Sequence, residues 1–134
     1  GVDVVDFGIR GIDLAYALGR GYDAAVLVDA TPRGGAPGTV YVIDAAGDEL
    51  GAATVETHAM DPVRVLRTAA SMGPLPRRVL VVGCEPLTRM TGAEPDVVVA
   101  LSAPVRDALE PAVDTLVALV EELATTSVRG GEGR

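Results

Sequence analysis

Ala24-Ala25-Val26-Leu27-Val28-Asp29 is the stretch on which the fold turns. It is apolar until its last residue, too short for a helix, and followed by Thr31–Gly38, where two prolines and three glycines exclude regular structure. Such a run predicts a strand buried on both faces, as in a parallel sheet covered by helices. Val79-Leu80-Val81-Val82 repeats the pattern and ends at Gly83-Cys84-Glu85-Pro86. Both strands close on polar residues, and parallel sheets hold their ligands outside the carboxyl ends of their strands.

The elements around these two strands alternate in type. Val2–Phe7 alternates apolar and acidic residues and predicts a short strand, turning at Gly8-Ile9-Arg10-Gly11 into a helix over Gly11–Leu18 that ends at Gly19 and Gly21. Thr39–Ile43 is β-branched and aromatic and predicts a strand; Asp44–Ala53 reads as a turn region. Asp61 is expected to cap a helix, with Pro62 suited to its first position and Val63, Leu66 and Ala70 as its inward stripe. Residues 87–96 read as a loop. A last helix carries Val105, Leu109, Ala112, Leu116, Leu119 and Leu123 inward, with a kink or restart expected at Pro111. The expected whole is one α/β domain over residues 1–124, a three-layer α/β/α sandwich on a twisted, mostly parallel sheet, followed by a disordered tail over 125–134.

Composition narrows the function. The 134 residues suffice for one core, built from aliphatic side chains because aromatics are 3% and tryptophan is absent. A net charge of −8 with no dense basic patch argues against nucleic acid and against an anionic membrane surface. No apolar run approaches the ~20 residues that span a bilayer. One cysteine excludes an internal disulfide and fits a reducing cytoplasm.

The candidate chemistry gathers at the carboxyl rim of the sheet. Asp29 is costly to desolvate unless it is hydrogen-bonded, paired or bound to a cation. Its plain alternative is a turn carboxylate that accepts N–H groups from the following loop. His58, the chain's one histidine, suits metal ligation or proton transfer, or is simply an ordinary surface or cap residue. Two ligands do not make a resident metal site, since catalytic zinc takes three and structural zinc four. Glu85, at the same rim, could orient a substrate backbone or merely open a loop before Pro86. Arg10 could steer an acidic group or remain a solvated charge. Cys84 reads as a small buried thiol rather than the nucleophile of a Cys–His pair. Gly8-x-x-Gly11 falls short of a dinucleotide fingerprint, and no serine lies in a nucleophile elbow.

Several blocks taken in order resemble the hydrogenase maturation endopeptidases. They are Val4-Val5-Asp6-Phe7-Gly8 with Gly11 and Leu14, Val28-Asp29-Ala30, Ala36-Pro37-Gly38-Thr39, Thr57-His58, Val81-Val82-Gly83-Cys84-Glu85-Pro86 and Leu101-Ser102-Ala103-Pro104-Val105. The resemblance covers residues 2–123. It implies a cytoplasmic protease that removes the C-terminal extension of a nickel–iron hydrogenase large-subunit precursor after nickel insertion. No resident cofactor is implied; the nickel arrives with the substrate. The family's metal contacts are an early acid, an Asp ending a strand and a His; Asp29 matches the second and His58 the third. The early acid belongs to a Gly-x-Gly-Asn-x-Leu-x-x-Asp-(Asp/Glu)-Gly loop that this sequence does not contain. The family's first strand and helix are therefore expected to be missing, leaving a vacant place between Val2–Phe7 and Ala24–Asp29. A second copy filling that vacancy is the alternative way to keep the chain folded. A non-catalytic module that binds precursor or metal is the alternative function.

Overall fold

The structure is a computed structural model that describes residues 1–8, 10–45, 62–87 and 102–131. In chain order it contains α1 (Gly11–Leu18), β1 (Ala24–Ala30), β2 (Val40–Asp44), α2 (Pro62–Met72), β3 (Arg78–Cys84) and α3 (Ala103–Gly131). The sheet order is β1-β3-β2. β1 pairs with β3 in parallel, Val26 opposite Leu80 and Asp29 opposite Gly83. β2 pairs with β3 antiparallel, Val42 opposite Val82 and Tyr41 opposite Gly83. The α/β class is as expected, with a mixed three-stranded sheet among the described residues.

β3 is the central strand, and Val79, Leu80, Val81 and Val82 are all at most 6% exposed. Burial of this order stabilises by roughly 1.5–3 kcal/mol per side chain. Alternation along a strand sends Val79 and Val81 to one face and Leu80 and Val82 to the other. On the first face, Val79 joins Ala15 and Leu18 of α1 and Val65, Leu66 and Ala69 of α2, with Leu14, Ala25 and Leu27 packed against them. α1 and α2 also pack on each other, and α3 lies against β3 and β2 with Ala108 buried.

Several expectations are corrected. β1 is not buried on both faces: it has one neighbour among the described residues, and Val28 is 63% exposed. Val2–Phe7 forms no strand. A lone extended segment leaves its backbone groups unpaired, so local bonds take over: Gly8 N–H donates to Asp6 Oδ1 at 2.8 Å and Arg10 N–H to the Phe7 carbonyl at 2.9 Å. The inward stripe of α2 is Val65, Leu66 and Ala69, with Ala70 exposed, because α2 is rolled toward α1. In α3, Leu109 is 48% exposed and Ala108 takes the inward place. α3 passes through Pro111 without a restart and runs to Gly131, into residues that composition assigned to a tail. The hydroxyls of Thr125 and Thr126 donate to the carbonyls of Glu121 and Glu122, one turn back. The 46–53 part of the expected turn, the Asp61 cap and loop residues 88–96 lie outside the described residues.

Gly83 sits where the core gives way to the rim. A Cβ placed there would overlap the Thr31 hydroxyl and lie 2.6 Å from Thr31 Cβ. Thr31 cannot easily withdraw, because its N–H donates to the Cys84 carbonyl at 2.8 Å. Gly83→Ala is therefore expected to destabilise by about 2 kcal/mol, the scale of an overpacked site. Thr31→Gly in the same chain should recover part of that loss in urea unfolding; strictly additive losses would contradict the contact.

Candidate functional site

One row of the sheet carries the site. Asp29, Gly83 and Tyr41 are register partners across β1, β3 and β2. They point to the face that, one row earlier, is packed by Leu27 and Val81. Because Gly83 contributes no side chain, Thr31 folds over it between Asp29 and Tyr41. Two strand spacings separate Asp29 from Tyr41, roughly 10 Å.

Asp29 is half-buried at the carboxyl end of β1, and its Oδ1 accepts the Ala30 N–H at 2.8 Å. The donor is the last residue of β1 rather than the loop that follows, and the bond holds the carboxylate at the rim. Among the described residues no group of three metal-ligating side chains assembles. His58 lies outside the described residues, so the pairing with Asp29 rests on the sequence.

Glu85 is 1% exposed, the one buried charged residue among those described. Its carboxylate faces the chain's own loop. Oε2 accepts the Arg33 N–H at 2.7 Å and the Tyr41 hydroxyl at 3.3 Å, and Oε1 accepts the Gly34 N–H at 2.8 Å. Its backbone is tied as firmly: Gly38 N–H donates to the Glu85 carbonyl at 2.8 Å, and Glu85 N–H to the Thr39 carbonyl at 2.8 Å. The loop is closed from the other side by Gly38, whose φ of +87° suits glycine and whose Cβ, if present, would lie 2.5 Å from the Pro104 carbonyl oxygen. These contacts go to the loop between β1 and β2, not to the segment after Pro86 that Glu85 was expected to open.

Arg10 is likewise turned onto its own segment. Its Nε and Nη2 donate to the Phe7 and Asp6 carbonyls at 3.2 and 3.0 Å, Nη1 lies 3.6 Å from Asp13 Oδ2, and the guanidinium covers the Phe7 ring. Burial, and then the Glu85 charge, push the Cys84 thiol up, which disfavours the thiolate a nucleophile needs. Sequence reasoning puts Gly83 at this rim but gives no role to Tyr41, Thr31 or Arg33. The available signal was Tyr41 as an aromatic beside the Gly-Pro loop.

The Tyr41 phenol is raised above its ordinary value by desolvation, then by the Glu85 charge and by its hydrogen bond to Glu85. A raised folded-state value means that the bond contributes in full below the ordinary phenol range and is lost as pH climbs through the raised value. Melting midpoints taken from neutral pH to about pH 11 should fall more steeply for wild type than for Tyr41→Phe. Tyr22, raised chiefly by its hydrogen bond to Asp3, keeps its share in both proteins. Identical alkaline slopes would remove Tyr41 from the clasp.

Comparison with known proteins places this architecture. A family model for the HycI hydrogenase maturation proteases matches residues 1–119. The chain belongs to the hydrogenase maturation protease family. It is 29% identical to the hydrogenase expression/formation protein HupD of Rhizobium leguminosarum bv. viciae over 136 residues, covering 98% of this chain and 63% of that protein. It is 34% identical to HupM of Azotobacter chroococcum mcd 1 over 126 residues, covering 91% and 56%. The chain thus spans about three-fifths of the length of these curated relatives. The hydrogenase maturating endopeptidase HybD from E. coli shares the fold, with a TM-score of 0.68 at 24% identity over 88% of this chain and 70% of that one. An E. coli endopeptidase solved in solution does so too, with a TM-score of 0.68 at 22% identity over 90% and 71%.

Proposed function

We propose that the chain carries the processing chemistry of a hydrogenase maturation endopeptidase: removal of the C-terminal extension of a nickel–iron hydrogenase large-subunit precursor after nickel insertion. The observation that supports this is the position of Asp29, a carboxylate anchored at the carboxyl rim of β1 in a chain of this family. Nickel bound in the precursor is engaged by an Asp29 oxygen and a His58 ring nitrogen, and so serves as the recognition element. Docking on that ion registers the scissile peptide at the rim, converting an encounter into an oriented attack. Water polarised by the metal or by a carboxylate adds to the carbonyl carbon, and the C–N bond breaks. The water's hydroxyl stays with the new carboxylate and its proton leaves with the new amine. Recognition by the ion also explains selectivity, because an empty precursor lacks the group that completes the contact. The setting is the cytoplasm, where the precursor is matured.

The test is incubation with nickel-loaded and nickel-free precursor, followed by the mass of the large subunit. Loss of the extension from the loaded form alone is expected. Equal trimming of both forms would end the reading. So would tight binding of the loaded form without trimming, which would leave a binding module in its place.

A further inference from the structure

Arg33 is held at both ends, yet its charge meets no carboxylate in the salt bridges among the described residues. Its backbone N–H is fixed by the buried Glu85 carboxylate at 2.7 Å, and its guanidinium lies 5.6 Å above the centre of the Tyr41 ring. The side chain is exposed. In a chain of net charge −8, this is a cation set in place ahead of need. Glu85, the acid to which its backbone is tied, is already engaged by two amides and a phenol. Holding a guanidinium over an aromatic ring removes much of the rotamer entropy that an arginine otherwise loses on binding an anion. It also leaves the forked N–H edge available for a bidentate carboxylate contact.

The position relative to Asp29 defines what this cation meets. Tyr41 stands on the same face and in the same row as Asp29, with Gly83 and Thr31 between them. A peptide whose nickel is seated at Asp29 and which runs along this row reaches the Tyr41 side after about three extended residues.

We propose that Arg33 is a specificity-determining residue that receives a carboxylate of the precursor's C-terminal segment, with Glu85 and Tyr41 as the positioning residues that present it. The inference rests on the processing function proposed above. The carboxylate is either an Asp or Glu side chain of that segment or the terminal carboxylate itself; both offer the same planar pair of oxygens.

Steady-state cleavage of nickel-loaded precursor by the full chain separates these sources. Arg33→Ala is expected to raise KM about tenfold, the scale of one hydrogen bond to a charged group, with kcat changed much less. Arg33→Lys should restore part of the loss, and the difference from wild type should shrink at high salt. Each acid of the precursor's C-terminal segment is then converted to its amide, and in a further arm the terminal carboxylate is amidated. One of these changes should raise the wild-type KM as much as Arg33→Ala does, and should add nothing when combined with it. The arm that does so identifies the source. Arg33→Glu with wild-type KM, or unchanged KM for every neutralised precursor, overturns the role of Arg33 while leaving the processing function intact. A wild-type chain that leaves the loaded precursor uncut defeats the processing function first, and this inference with it.

Discussion

Asp29→Asn is expected to abolish processing of nickel-loaded precursor while leaving the protein folded. The substitution separates charge from shape. The hydrogen bond from Ala30 N–H at 2.8 Å needs only an oxygen in the Oδ1 position, and an asparagine carbonyl supplies one. The side chain is half-buried at the end of β1, where a change of one polar atom leaves the Leu27 and Val79 packing untouched. What is lost is the anionic oxygen proposed to engage the precursor's nickel. Removing a group that only supports a metal ligand costs about 10- to 100-fold, and loss of the contact itself should cost at least ~100-fold in kcat/KM. His58→Gln should fall in the same range, since the amide keeps polarity but not the imidazole's affinity for nickel. The measurement is the rate of extension loss, with far-ultraviolet circular dichroism confirming that the sheet persists. Wild-type rates in both variants would dismiss the rim as the place where the metal is gripped.

What the sequence disclosed follows from where each segment sits in the sheet. Val79–Val82 is legible because a central strand, covered on both faces, has to be apolar at every position. Ala24–Val28 carries the same signature, yet Val28 stands exposed, because composition does not say which apolar strand has one neighbour and which has two. α1 is readable to the residue, since its bounds are set by turns on both sides. The rotation of α2 is not, since the choice between Val63/Ala70 and Val65/Ala69 is made by the surface of α1. At the rim, Asp29 announces itself as an acid ending an apolar run. The row shared by Asp29, Gly83 and Tyr41 is invisible in the chain, because register between distant strands is a property of the folded sheet. Glu85 is the instructive case. An acid wedged between a buried strand and a proline points as readily outward to a substrate as inward to a loop, and only the amides of Arg33 and Gly34 decide the matter.

Glu85→Ala should be among the most destabilising single substitutions at the rim. The wild-type carboxylate is 1% exposed and gathers the Arg33 and Gly34 amides and the Tyr41 hydroxyl. Truncation removes three charge-assisted bonds at once and leaves a void at the root of the loop. The released amides belong to exposed residues and regain water in part, so the loss is well short of three separate bonds. A net cost of about 3 kcal/mol follows from the usual worth of hydrogen bonds to a charged acceptor. For a domain of this size that lowers the melting midpoint by roughly 10 °C. Glu85→Gln should fall between the two proteins, because its one carbonyl oxygen serves one amide while its NH2 confronts the other donors. Urea unfolding gives the free energies. Hydrogen exchange gives the locality: the Arg33 and Gly34 amides should both exchange faster in the alanine variant, and one of them in the glutamine variant, even where the core strand β3 stays protected. An alanine variant as stable as wild type, with those two amides still protected, would mean that the loop holds itself and that Glu85 merely fills the space beneath it.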